Sequence, residues 1–350
     1  MRNLGFFLEN FKQFVVKYHN YKSIRHFRSR CFLIAVLCFS GNLCLQAQTK
    51  YSRFEHLTIN DGLSSNRIRC IFRDSKDYLW MGTDKGLEKY DSYQVKNYRH
   101  GDGLNGAISS DILICIYEDS KKNLWFGTND GLNLYDREKD NFRVFKNNPA
   151  DDNSISSNCI TGIVEDKEKN LWIISDGNCL NQFVPGTQTF VRYQFEKGKN
   201  YLNPRPSKMI GVDSKGFIWI VSLSRGIRRF DPGSGQFILF DDPSINFGNN
   251  YFKSIFIDKL DKIWISTDGN GFFSFDPASR KFEHFGSMAD GKGTNQNMVL
   301  DILPEDDRYL LLAVDQGGIN RFDKVTKTFE YIEYDEANDN GLNNNGIWCL

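Results

Sequence analysis

An all-β fold, a β-propeller of four-stranded blades numbering about seven when complete, is what three features of this 350-residue sequence predict. A tryptophan returns at Trp80, Trp125, Trp172, Trp219 and Trp264, spaced 45, 47, 47 and 45 residues apart. Around each lies the same order of short β-branched and aromatic runs punctuated by Asp and Gly, the composition of strands and turns. No helical period separates the runs. A repeat of about 45 residues holding four short strands has the dimensions of a propeller blade.

Each unit opens with strand A, an apolar run (IRCIF 68–72, ILICIY 112–117, ITGIV 160–164, KSIFI 253–257). An Asp-led turn follows (DSKD 74–77, DSKK 119–122, DKEK 166–169, DSKG 213–216, DKLD 258–261). Strand B carries the Trp, as in LWFGT (124–128). Blades stack face to face, so this strand is covered on both sides and shows no clean polar alternation. The Trp fills the layer between blades, and the residue two later is often small (Gly82, Gly127, Ser266, Ala313), which permits close packing. Gly86 and Gly131 close the B–C turns, where a positive φ suits glycine. Strand C ends in Tyr-Asp or Phe-Asp, and an aromatic strand D closes the unit. Adding 47 to 264 reaches Leu311 in YLLLAVDQGGINRFD, a sixth unit that keeps the frame and loses the Trp. Blades are expected near 61–98, 104–145, 155–194, 207–240, 251–285 and 297–334, with the start of a further one at 341–350.

The segment before the repeats differs in character. Residues 1–47 hold seven of the 44 basic residues and one of the 44 acidic ones, leaving 37 against 43 in the rest, a net of −6. A mildly acidic body argues against nucleic acid as a partner, because phosphate neutralisation needs clustered Lys and Arg. RHFRSR (25–30), CFLIAVLCFSGNLCL (31–45) and LQAQT (45–49) follow the order of a secretory signal cleaved after Ala47. The apolar run is shorter than the ~20 residues of a membrane span, and an uncleaved anchor is the alternative reading. Residues 48–350 are then an incomplete propeller domain in the periplasm. Five cysteines stay with it: Cys70, Cys115, Cys159, Cys179 and Cys349. An odd count without a CxxC pair fits neither a disulfide scaffold nor a zinc site, so no metal and no cofactor is expected. Cys70 and Cys115, each ten residues before a repeat Trp, read as small buried apolar residues.

DSKKNLWFGTNDGLNLYD (119–136) and its counterparts resemble the two-component regulator propeller repeat, and YSRFEHLTINDGLSSNRIRCIFRDS (51–75) resembles the opening of mature sensors of that family. The resemblance covers residues 51–350. It implies the periplasmic sensor region of hybrid two-component systems, chiefly of Bacteroidetes. There, two such propellers precede a β-sandwich, a membrane helix, a histidine kinase, a receiver and a helix-turn-helix domain. It also implies an oligosaccharide ligand released from polysaccharide, and a homodimer formed through the full-length sensor. Contact with a membrane would come only through a C-terminal part missing here or through an uncleaved signal. This sequence has no kinase or DNA-binding segment. GLNNNGIWCL (341–350) matches GLSSNRIRCI (62–71) position for position, and SRFEHL (52–57) resembles the strand D of RKFEHF (280–285). The expectation is a composite seventh blade lacking strands B and C, in a fragment of a longer sensor that is poorly soluble alone.

Parity places the B–C turns and D–A links at one end of the propeller. The D–A links are long and unlike one another, and variable loops on a rigid scaffold are where binding concentrates. Saccharide recognition wants aromatic platforms beside planar amide, carboxylate or guanidinium groups. On that face Tyr201, Arg205, Phe247, Tyr251, Asn129, Asp130, Arg225, Asp268 and Asn270 are the candidate ligand-binding residues; solvated turn formation is the alternative for each. Catalysis finds little support. Only His56, His100 and His284 lie beyond the leader, and no HExxH, GxSxG, Walker or GxGxxG pattern is present. A secreted propeller enzyme acting on polysaccharide and a non-catalytic interaction scaffold stand as the other readings.

Overall fold

A computed structural model describes residues 54–101, 106–176, 179–194, 209–221, 227–240, 252–286 and 293–350. These form six antiparallel sheets, each of four strands in the order A-B-C-D, arranged as a β-propeller. In the second sheet the strands are Leu113–Glu118, Leu124–Thr128, Gly131–Asp136 and Asn141–Phe145. All five residues of its strand B are buried, as expected for a strand covered on both faces.

The Trp interlocks successive sheets. Its indole lies against the aromatic near the end of strand C in the next sheet. Ring centroids are 5.1 Å apart for Trp80–Tyr135 and Trp125–Phe183, 5.2 Å for Trp172–Phe230, 5.9 Å for Trp219–Phe275 and 5.6 Å for Trp264–Phe322. Tilted or edge-on geometry at these distances adds to the area that such rings bury. The same five indoles explain the Asp of the A–B turn, which capping alone does not. In the second sheet Asp119 Oδ1 accepts the backbone N–H groups of Lys121 and Asn123, while Oδ2 accepts Trp125 Nε1 at 3.0 Å. Asp74, Asp166, Asp213 and Asp258 take their own Trp in the same way, at 2.7–3.0 Å. A buried indole N–H needs an acceptor, and the turn supplies one. The sixth sheet, with Leu311 in the Trp position, gives the matching acid another donor: Glu305 Oε2 accepts Arg321 Nε at 2.6 Å.

The small residue after the Trp answers to strand A. Cys115 pairs with Gly127, and a Cβ on Gly127 would lie 2.5 Å from Cys115 Sγ and 2.8 Å from Ile160 of the next sheet. The third sheet reverses the sizes, pairing Gly162 with Ile174. Cys70 and Cys115 are buried thiols, as expected, and burial pushes the Cys115 thiol well above its ordinary range.

Arg137 ties the first sheet to the second, donating to Asp74 Oδ2 at 2.9 Å and Glu118 Oε1 at 3.0 Å. Burial pushes the Asp74 carboxyl up, but bonds from Trp80, Arg137 and the Lys76 and Tyr78 amides outweigh it and hold the group below 3.8. Asp136, Asp231 and Asp276 are lowered likewise, by backbone and Ser or Lys donors in their C–D turns. A carboxylate with a depressed folded value contributes stability that is present above the unfolded value and lost as pH falls through the folded one. Thermal midpoints should therefore stay level down to about pH 4 and fall steeply below it, and Arg137→Met should flatten part of that fall. A midpoint constant to about pH 2 would contradict this reading.

At both ends of the sequence the strands differ from expectation. Residues 54–57, read as a strand D, lie in no sheet, and residues 341–350, read as a strand A, form no ladder. A strand is defined by its neighbours, and the B and C strands that would pair with both are absent among the described residues. The 341–350 segment is nevertheless fastened on both sides. Gly318 N donates to Asn345 O at 2.9 Å, Tyr334 N to Asn345 Oδ1 at 2.6 Å and Leu350 N to Asp301 Oδ2 at 3.2 Å, all from or to the sixth sheet. From the start of the ring, Phe54 N donates to Asn340 O at 2.7 Å and Arg67 lies over the Trp348 ring at 5.1 Å.

Candidate ligand-binding face

The end of the propeller holding the B–C turns is built by a device that recurs in four sheets. The residue leading into strand A bonds back to a side chain in strand C of its own sheet. Ser109 N donates to Asn133 Oδ1 at 2.8 Å, Ser156 N to Asn181 Oδ1 at 2.9 Å, Asn295 N to Asn320 Oδ1 at 3.0 Å and Ser64 N to Glu88 Oε1 at 2.7 Å. The amide then turns its Nδ2 inward, as Asn133 does to Phe126 O at 3.1 Å and Ser109 Oγ at 2.9 Å. The glycine of the B–C turn fastens the next lead-in: Gly131 N donates to Asn158 O, and Gly271 N to Asn297 O, both at 2.7 Å. Gly131 has φ 138°, a region that favours glycine. The described lead-ins to strand A are thus fixed to the sheets, a rigid scaffold of the kind that carries binding loops.

Four of the nine candidate residues lie among the described residues: Asn129, Asp130, Asp268 and Asn270. All four sit in B–C turns on the expected face. Tyr201, Arg205, Arg225, Phe247 and Tyr251 lie outside the described residues. Asp130 is held inside the frame, its Oδ2 accepting Lys146 Nζ at 2.7 Å and its Oδ1 accepting Asn158 Nδ2 at 3.1 Å. Asn270 offers its backbone carbonyl to His284 Nε2 at 2.8 Å.

Asn129 and Asp268 occupy one equivalent position, the residue after strand B, and Asp84 is a third. Asp84 and Asp268 meet the bulged residue near the start of strand A. Bulges at Arg69 and Lys253 turn a cation toward that position. Arg69 Nε donates to Asp84 Oδ1 at 2.5 Å, and Lys253 Nζ lies 3.0 Å from Asp268 Oδ2 with only 3% of its side chain exposed. In the second sheet the bulged residue is Ile114, and Asn129 Oδ1 is buried without a hydrogen-bond partner. The ring of bulges was not legible beforehand. A single extra residue in an apolar run looks like strand, and only its pairing shows that it points elsewhere. Inside this ring lies a central cavity of about 560 Å³, walled by inner-strand residues including Ile71, Ile116, Ile163 and Ile255. Arg69 and Trp348 also line it. Its size falls in the range of small-molecule sites, and its walls are apolar.

Residues 62–85, 106–130 and 154–177 each run from a lead-in through the Trp of strand B to the B–C turn, and these segments decide the comparison. Each of the three matches the two component regulator propeller. No curated protein matches the sequence. Among solved structures the fold is similar to the extracellular domain of a protein described as a hybrid two component system from B. thetaiotaomicron. The TM-score is 0.67 at 23% identity, over 84% of this chain and 38% of that one. A second such domain from the same organism gives a TM-score of 0.63 at 20% identity, over 85% of this chain and 37% of that one. The chain thus spans well under half the length of these relatives. Virginiamycin B lyase from Staphylococcus aureus is similar at a TM-score of 0.57 and 14% identity, covering 81% of this chain and 85% of that one. At such identities the likenesses show a shared propeller fold, which sensors and an enzyme both use. The regulator-propeller repeat is the more specific match, because it falls on the lead-in and Trp positions described above.

Proposed function

We propose that this chain is the extracytoplasmic sensor propeller of a hybrid two-component signalling protein, held in the periplasm, with an oligosaccharide released from polysaccharide as its ligand. The observation that carries the reading is the threefold match to the regulator propeller on a fold of six four-stranded blades. The 37–38% coverage of the similar sensor domains supports reading the chain as one part of a longer receptor. Kinase, receiver and DNA-binding activities would reside in that receptor and not in this chain, which acts by binding and without turnover. The central cavity has the size of a small-molecule site.

Titration calorimetry with oligosaccharides from enzymatic digests of neutral and of uronate-containing polysaccharides tests this. Saturable binding with the oligosaccharide recovered intact is the expected result. Shortened or unsaturated products would replace the sensor by an enzyme, and no heat with any digest would remove the saccharide.

A further inference from the structure

We propose that the central cavity is a binding site for an amphipathic anion, a single apolar chain ending in a carboxylate, whose chain lies along a ring of isoleucines and whose head group meets Arg67 and Arg69. All six sheets place isoleucine at one register position, the strand A residue paired with the one that follows the Trp or Leu311. Ile71 pairs with Met81, Ile116 with Phe126, Ile163 with Ile173, Ile210 with Ile220, Ile255 with Ile265 and Ile302 with Leu312. The residue before it ranges from Gly162 to Asp301, so strand A is not uniform as a whole. The first five of these isoleucines line the cavity of about 560 Å³, and each of the six sheets contributes its strand A to the wall. Well-packed interiors leave few voids larger than a water molecule, so an apolar cavity of this size is a ligand volume. Asp301, the one acid among the lining residues, already accepts Ser254 Oγ at 3.0 Å and the Ile302 amide at 2.9 Å.

The mouth carries the charge. Trp348 and Arg69 line the cavity, and the Arg67 guanidinium lies 5.1 Å from the centre of the Trp348 ring. Trp348 is the one Trp of six outside the repeat position; it is 40% exposed, whereas the other five are 0–2% exposed. Both arginines converge on a single carboxylate. Arg69 Nε donates to Asp84 Oδ1 at 2.5 Å, and Arg67 Nη1 lies 3.3 Å from Asp84 Oδ2. Two guanidinium groups on one carboxylate leave one positive charge in excess. Arg69 spends one of its five N–H donors in that pair. A carboxylate head takes further donors of the two arginines in charge-assisted hydrogen bonds, while the chain leaves water for the isoleucine wall. None of Asn129, Asp130, Asp268 and Asn270 lines the cavity, so failure of the saccharide reading would leave this site untouched.

The probe is dodecanoate, titrated onto the full chain by calorimetry below its micellar concentration. The expected result is one molecule bound per chain, with a blue shift of Trp emission that Trp348→Phe abolishes. Dodecanol should bind about tenfold more weakly or worse, for want of the charge-assisted hydrogen bonds. Arg67→Gln combined with Arg69→Gln should bring dodecanoate to the level of dodecanol and leave dodecanol unchanged. Ile116→Phe adds volume at a half-buried position on the cavity wall, and should weaken both ligands by about fivefold or more. No binding, many molecules per chain, or equal affinity for dodecyltrimethylammonium overturns the proposal. So does binding that neither the arginine variants nor Ile116→Phe alters. Adsorption to phosphatidylglycerol vesicles without binding of free dodecanoate would assign the arginines to a membrane surface and would also overturn it.

Discussion

Trp219→Ala is expected to destabilise the propeller by about 3–5 kcal/mol, the range for deleting a buried aromatic side chain. Trp219 is 0% exposed and lies between Phe240 of its own sheet, at 5.3 Å, and Phe275 of the next, at 5.9 Å. Two terms add. The cavity opens between two sheets whose strands are pinned by their own ladders, so neither can close over it. Asp213 Oδ2 also loses the indole N–H that it accepts at 2.7 Å inside a buried layer. Trp219→Phe separates the terms: it keeps most of the volume and leaves the carboxylate without that donor, and should cost about 1–3 kcal/mol. Urea unfolding at equilibrium measures both. The idea that the indole is the wedge between blades fails if Trp219→Ala costs under about 1 kcal/mol. Leu311→Ala should cost less than Trp219→Ala, because Leu311 is only half-buried and Arg321, not an indole, serves Glu305.

The second large effect has the opposite sign. Glu88→Gln should stabilise the protein by about 1–3 kcal/mol, the cost of leaving a buried polar atom without a partner. Glu88 is 0% exposed; its Oε1 accepts Ser64 N and Ser64 Oγ, and its Oε2 has no hydrogen-bond partner. Asn133, at the same place in the second sheet, puts an N–H₂ group there and donates to a strand B carbonyl and a serine hydroxyl. Glutamine restores that donor and keeps the reach to Ser64. Glu88→Ala is the control. It strands the Ser64 amide and should destabilise by a similar amount. If Glu88→Gln unfolds at lower urea than the parent, the parallel with Asn133 is wrong.

Much of the fold was legible because the repeat is strict and its reasons are local. A Trp every 45–47 residues, a small residue two later, and Gly86 or Gly131 at the turn each follow from steric needs that one blade imposes on itself and its neighbour. The Asp of the A–B turn was only half legible. Its capping of backbone N–H groups is a local pattern, but its bond to the Trp six residues later needs the strands already folded back. The lead-in residues were missed although they too recur. Ser109 and Asn133 are 24 residues apart in sequence, and neither type marks a strand. Of the candidate ligand residues, residue type and spacing place Asn129, Asp130, Asp268 and Asn270 in B–C turns, where the structure has them. They did not reveal that Asp130 and Asp268 are engaged by Lys146 and Lys253, since the partners come from other strands.

By itself the sequence determined the period, the strand content and the residues that wedge the blades, because burial on both faces of a repeated sheet constrains every unit alike. Only the tertiary structure decided which polar groups are spent on scaffolding and where acceptors and apolar faces stay open. Those depend on which strands come to lie side by side. Asn129 Oδ1 lacks a donor in the sheet whose bulged residue is Ile114, whereas Arg69 and Lys253 hold that place in the first and fifth sheets. Such properties belong to pairs of residues brought together by folding, and no single stretch of chain encodes them.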